Sequence, residues 1–392
     1  MRQRMQHIVF LASFLFSLTL AITTFTNSSF IEAGIGTKGV GILYIVSSII
    51  SIFFLSKGTR LLAKLGNRKY FLLIATVHML SLLSLVLPLH TIAHAIGLSL
   101  YLISGYGLIF SFDIFFEHTA LIRGRGKTRG LYLALCSIGW VIGPLASAKI
   151  ISYLGFVGIY ALALTLFSLL VVLLEFGLKE YRDPAYTSHR SHIMLHHLWR
   201  VPTLHAVVFA NFILQFFYAW MVVYMPIYLN QHLGIPWSKI GIIFSIMLTA
   251  FVILDYPLGR LADKIGSEKE LTAIGFVIMS LTVFGFAFLP VLTIPLIGVL
   301  LFFSRVGAAT VETMTEIHFF KIIDGENPMF LSIFRDIRPV AYILTPIIAT
   351  ISLALLPFKT SFAVLGSVLL IGFCVALTME KKRAWWQRSH NN

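Results

Sequence analysis

Charge is scarce in this chain. Asp, Glu, Lys and Arg make up 12% of its 392 residues, about half the share carried by an ordinary soluble domain. With 58% hydrophobic residues and a mean hydropathy of +0.89, the composition excludes a soluble globule. Cysteine is nearly missing too. Cys136 and Cys374 both fall inside apolar runs, which excludes a disulfide framework or a cysteine zinc site and reads as two free, buried thiols. Acids are scarcer than bases, 16 against 30, for a formal charge of +14. In a soluble chain that excess would suggest nucleic acid, but here the bases lie in short stretches between apolar segments, so no nucleic-acid partner is expected. No nucleotide-binding loop, nucleophile with its base or haem motif is present, so no enzyme activity and no cofactor is expected.

What the chain has in quantity is apolar length. A membrane helix needs about 20 mostly apolar residues, at about 1.5 Å each across a core of about 30 Å. Such spans are expected at 7–28, 39–55, 70–88, 95–116, 131–152 and 156–178, then at 202–229, 239–258, 271–289, 293–314, 330–353 and 358–379. The domain reading is a six-helix bundle over 1–178, a cytoplasmic linker over 179–201, a second bundle over 202–379 and a tail over 380–392. The first span is too long for a signal-peptide core and is expected to be retained. About 25 of the 30 bases fall on the side that holds both ends of the chain, which puts the N- and C-termini in the cytoplasm of a plasma-membrane protein.

The two sets of six echo each other. Thr-Arg-Leu-Leu-Ala-Lys-Leu-Gly-Asn-Arg-Lys at 59–69 matches Gly-Arg-Leu-Ala-Asp-Lys-Ile-Gly-Ser-Glu-Lys at 259–269, each expected to be a loop. Tyr106, Asp113 and Glu117 in span 4 share the i, i+7, i+11 spacing of Arg305, Glu312 and Glu316 in span 10, which places each trio on one helix face. Gly143-Pro144 in span 5 corresponds to Thr345-Pro346 in span 11.

With these residues in view, the chain resembles the major facilitator superfamily of secondary transporters. Gly259, Asp263, Lys264, Gly266 and Lys269 resemble its Gly-x-x-x-Asp-(Arg/Lys)-x-Gly-x-(Arg/Lys) loop motif, and Gly139-x-x-x-Gly143-Pro144 resembles its span 5 motif. The first half departs from the loop motif, with Thr59 and Ala63 in place of Gly and Asp. The resemblance implies an all-α polytopic membrane protein, twelve transmembrane helices in two pseudo-symmetric six-helix bundles around a central cavity. It further implies a gate in which Asp263 bridges to the basic start of span 5 near Arg129. Read from the residues alone, the loop is also explained by the cytoplasmic bias of bases. Gly143 and Pro144 suit either close helix packing or a flexing element.

Arg305 falls near the bilayer midplane, where a guanidinium needs a partner or a watered cavity. It is either a substrate anchor, through two parallel bonds to a carboxylate or phosphate, or the structural partner of Glu312. Glu312, then Asp113, are the candidates for proton coupling, with a plain gate ion pair as the alternative for Glu312. Glu117 and Glu316 are read as gate residues facing Arg129, Arg335 or Arg338. Asn211, Gln215 and Tyr218 form a polar stripe at i, i+4, i+7 in span 7 and, with Tyr106, are the expected substrate-lining residues. Span 1 carries a weaker stripe of Ser13, Ser17, Thr24 and Asn27. The linker histidines His189, His192, His196 and His197 read as interfacial, so no metal site is expected. The expectation is therefore a monomeric secondary transporter of a small organic solute, working by alternating access and coupled to protons, in contact with lipid. Efflux of amphipathic compounds is the alternative within transport, and a non-transporting receptor or scaffold the alternative outside it.

Overall fold

Inside a bilayer every backbone N–H and C=O must be bonded within the chain, so apolar runs of this length have to be helices. The computed structural model bears this out. It describes residues 2–119, 125–179, 181, 183, 202–265, 268–322 and 328–379, without the side chains of 2–4, 56, 59, 117–119, 125–134, 202–203, 255–256, 263–265, 320–322 and 328–336. Among the described residues there is no strand. The helices are α1 (Arg2–Thr24), α2 (Asn27–Leu65), α3 (Asn67–Val86), α4 (Thr91–Thr119), α5 (Arg125–Gly177), α6 (Pro202–Ile227), α7 (Trp237–Ile265), α8 (Glu268–Phe288), α9 (Ile294–Ile322), α10 (Pro328–Leu355) and α11 (Phe358–Ala376). A π-helical turn, Tyr228–His232, extends α6.

Among the described residues, ten helical stretches are long and apolar enough to cross a membrane. Two of them, Met5–Leu55 with 51 residues and Leu135–Gly177 with 43, are each about twice the length that a 30 Å core requires. Each holds a kink where the backbone leaves the helical conformation. Gly36 (φ 69°) and Gly155 (φ 65°) take the left-handed backbone that only glycine adopts without strain. The architecture is thus consistent with the twelve spans expected. Large apolar side chains such as Phe53, Ile92, Tyr153 and Leu281 point outward, 64%, 74%, 78% and 65% exposed, as a lipid-facing surface demands and a water-facing one does not tolerate.

Two expectations need correction. The repeat segments at 59–69 and 259–269 are not loops over most of their length. α2 continues to Leu65 and α7 to Ile265, and between α2 and α3 only Gly66 (φ 78°) leaves the helix. Continuation satisfies backbone groups that a loop would leave to water, and Leu62 and Ala262 bury themselves by it. Gly259 is helical and a Cβ there would meet nothing within 4 Å, so a tight turn is not what it provides. The cysteines are not core thiols either, since Cys136 is half-buried and Cys374 exposed. In a membrane protein an apolar run faces lipid as readily as protein, so hydropathy does not place them.

The chain forms two compact units, residues 1–188 with 222–245, and residues 189–221 with 246–392. In the first, α1 packs along α5. A Cβ at Gly139 would stand 3.1 Å from Leu18 N, and one at Gly143 2.7 Å from the Ala21 carbonyl carbon. Ser147 donates to Ile22 O at 2.6 Å across the same seam. On another side of α5, Gly241 would set a Cβ 2.5 Å from Pro144 O, and Ser245 donates to Val141 O at 2.7 Å. Small residues let these backbones approach closely. Gly143→Leu is therefore expected to destabilise the protein by about 1–3 kcal/mol through overpacking, while Gly259→Ala leaves the melting temperature unchanged or raises it. Equal melting temperatures for Gly143→Leu and wild type in detergent would contradict this seam.

Polar bonds tie the first unit together: Tyr101 to Thr23 at 2.6 Å, Tyr160 to Asn27 at 3.0 Å, and His78 to Ser104 at 2.8 Å. The joint at Gly66 is held in the same way. Asn67 exchanges bonds with Ser111 (3.1 and 2.9 Å), and Asp183 accepts from the Asn67 and Arg68 amides (2.7 and 3.4 Å) at the start of α3. Arg68 pairs with Glu175 at 2.5 Å. In the second unit, α8 and α9 meet at Gly275 and Gly307, where a Cβ on either would come within 2.8 Å of the other's carbonyl oxygen. Buried Glu268 at the start of α8 stands 3.8 Å from His318 of α9.

Candidate functional site

The second unit assembles the expected candidates of spans 7 and 10 on facing helices. α6 presents Asn211, Gln215 and Tyr218 on one face, because i, i+4 and i+7 return to the same side of a helix. Asn211 is buried at 3% exposure and accepts from Gln215 Nε2 at 3.4 Å. α9 presents Arg305 and Glu312 by the same periodicity. Tyr218 crosses between the two helices and donates its hydroxyl proton to Glu312 Oε2 at 2.7 Å. Thr345 of α10, fully buried, donates to Phe216 O at 3.3 Å and holds α6 in register.

Arg305 is the unusual member. It is 2% exposed, yet its Nε and Nη1 have no hydrogen-bond partner among the described residues. Instead the guanidinium lies over two aromatic rings, 5.0 Å from the centre of Phe217 and 5.5 Å from that of Tyr218. Each such contact contributes about 0.5–2 kcal/mol, against several kcal/mol for withdrawing a cation from water. Two rings therefore offset only part of the cost. The rest calls for an anion or water at the nitrogens.

Glu312 does not supply that anion directly. No ion pair joins Arg305 and Glu312 among the described residues, although Arg305 and Arg338 both act on the Glu312 carboxylate electrostatically. Seven residues separate them along α9, about 10 Å at 1.5 Å each, so direct pairing would require both side chains stretched. The Phe217 ring and Tyr342 were not singled out from sequence, and Arg338, expected as a partner of the gate acids, has its guanidinium 5.9 Å from the Tyr342 ring. Phe217 is one of 34 phenylalanines, and nothing in its spacing marks it as a cation's seat.

The other candidates lie elsewhere. Tyr106 and Asp113 are half-buried on α4 in the first unit. Glu316 is exposed on α9, Lys269 is half-buried at the start of α8, and Gly143 and Pro144 are buried in α5. The side chains of Glu117, Arg129, Asp263, Lys264 and Arg335, residue Gly266 and the linker histidines fall outside the described residues, and so does the expected Asp263–Arg129 bridge.

Helices long and apolar enough to cross a bilayer, packed in two units, with a buried cation and a half-buried carboxylate on one face of α9, define a polytopic membrane protein. The profile of the Major Facilitator Superfamily matches residues 113–315 and 207–391, and the chain belongs to that superfamily. An uncharacterized MFS-type transporter, YcaD, of Escherichia fergusonii is 27% identical over 157 residues, and its Escherichia coli O45:K1 counterpart 26%. Each match spans 40% of this chain and 40% of the relative. Solved structures share the fold over nearly the whole length. A bacterial homologue of the human lysosomal transporter Spinster superposes with a TM-score of 0.77 at 10% identity, covering 96% of both chains. A bacterial homologue of the iron transporter ferroportin gives 0.76 at 13%, covering 96% and 98%, and the nucleoside transporter NupG 0.77 at 13%, covering 96% and 100%. The protein is an integral membrane protein of a family that moves small molecules.

Proposed function

We propose that the protein is a secondary active transporter of a small polar or anionic organic solute, working by alternating access in the plasma membrane and coupled to protons. The observation that carries this reading is Arg305, a buried cation whose Nε and Nη1 have no hydrogen-bond partner among the described residues and whose guanidinium lies over two aromatic rings. A scaffold has no use for so costly a group. In this reading Arg305 anchors the solute, Asn211, Gln215, Tyr218 and Tyr106 line its site, and Glu312, with Asp113, carries the proton. The aromatic seat around Arg305 supports a second reading, efflux of amphipathic compounds. The bundles are proposed to span 1–178 and 202–379, joined by 179–201, with both termini cytoplasmic.

The test is a thermal-shift screen of the purified protein against metabolites and drugs, followed by uptake into proteoliposomes under a pH gradient. Anionic metabolites that stabilise the protein are expected to accumulate. Stabilising compounds that never accumulate would contradict transport. The gate is proposed to run through Gly259, Asp263, Lys264, Gly266 and Lys269 to Arg129, with Glu117, Glu316, Gly143 and Pro144 as its other members. Asp263→Asn is then expected to shift the populations of the two access states, read by spectroscopic distances, more than any substitution at Ala63 does; unchanged populations would remove the bridge.

A further inference from the structure

The second unit holds two ionisable groups of opposite sign on one face of α9, and they do not neutralise each other by contact. Arg305 rests on Phe217 and Tyr218, and Glu312 is bonded to the Tyr218 hydroxyl. Several ionisable groups among the described residues surround them, and exposed Glu316 lies one turn beyond Glu312 on α9. Tyr218 faces both from α6, Arg338 and Tyr342 act from α10, and on α8 the buried acid Glu268 is engaged with His318, farther along α9. Arg338 is exposed and Glu312 half-buried, so the charge of Arg338 is screened more than that of Arg305, which is 2% exposed.

Resting on the transport reading above, we propose that this site takes a singly charged organic anion, a monocarboxylate in the simplest case, together with one proton. The reason is charge conservation in a region of low dielectric. With Arg305 positive and Glu312 negative, the empty site is neutral as a whole. An anion on Arg305 alone leaves one net negative charge, and a proton on Glu312 alone leaves one net positive charge. Both are penalised where solvation is poor. Anion and proton together restore neutrality, so each raises the affinity for the other by the same factor. A neutral solute gains nothing from Arg305, and a dianion with one proton leaves a charge uncompensated. The Tyr218 side chain, which touches both groups, sets the distance over which they couple.

The experiment uses the full-length purified protein and two matched sets of probes: lactate, lactamide and malate, then benzoate, benzamide and phthalate. Affinities are read by ligand-induced thermal shift between about pH 6 and 8, where the monocarboxylates themselves stay ionised. At least one monocarboxylate is expected to bind more tightly than its amide and its dicarboxylate. Its apparent Kd should fall about tenfold for each pH unit lowered, wherever the empty protein's Glu312 is ionised. In Glu312→Gln that dependence should vanish while binding persists. If no monocarboxylate binds, or the amides or dicarboxylates bind as well, the proposal is overturned. Arg305→Lys, which keeps the charge, guards against misfolding of Arg305→Gln: it should retain the preference for monoanions at weaker affinity. Should monocarboxylates bind in an Arg305-dependent but pH-independent way, the anchor stands and the proton pairing falls. If they bind equally to Arg305→Gln, the anchor itself falls.

Discussion

Arg305→Lys is expected to weaken solute binding by about 10- to 100-fold while the melting temperature of the ligand-free protein changes little. A planar guanidinium can give a carboxylate two parallel bonds, worth about 1.5–3 kcal/mol each when charged, and an ammonium keeps the charge but not that geometry. Stability should be spared because the contacts Arg305 makes with described residues are with ring faces at 5.0 and 5.5 Å, and an ammonium can rest there too. The competing account, a structural pair with Glu312, gives the opposite pattern. Under it Arg305→Ala lowers the melting temperature and the double variant with Glu312→Ala recovers much of the loss. Strong stability coupling with unaltered binding would sink the anchor. The bond from Tyr218 to Glu312 at 2.7 Å already gives the carboxylate another partner.

Glu312→Gln is the second large effect. The amide keeps the shape of the side chain and its oxygen can still accept from Tyr218, but it does not titrate. Accumulation driven by a pH gradient is expected to disappear, a loss of the whole concentrative effect, while exchange of labelled for unlabelled solute continues at a comparable rate. Full pH-driven accumulation in Glu312→Gln, with expression and melting checked, would move the coupling elsewhere, Asp113 being the next candidate.

The membrane helices were legible in the sequence because the bilayer leaves the backbone no alternative, and hydropathy alone finds runs of the required length. Arg305 and Glu312 were legible for the same reason in reverse: an ionisable residue in such a run is conspicuous. What they touch was not. Tyr218 was visible as part of a stripe, but its bond to Glu312 joins positions 94 residues apart, and no periodicity reports that. At 59–69 and 259–269 the glycines and charges look like loop signals. The helices run on through most of both segments because nothing there forbids the next hydrogen bond. A partner from far along the chain was not legible either. The start of α3 is served by Asp183, which arrives from beyond the sixth span, out of reach of a motif read within one loop.

The central claim, that the guanidinium of Arg305 holds the charged group of the solute, is tested most directly by a cycle that changes protein and ligand together. Binding of a stabilising monocarboxylate and of its amide is measured on wild type and on Arg305→Gln. If the two groups meet, the change from carboxylate to amide should cost wild type about 100-fold or more in affinity, one to two charge-assisted bonds, and should cost Arg305→Gln almost nothing. An equal loss in both proteins would mean that the charge of the solute lies somewhere else.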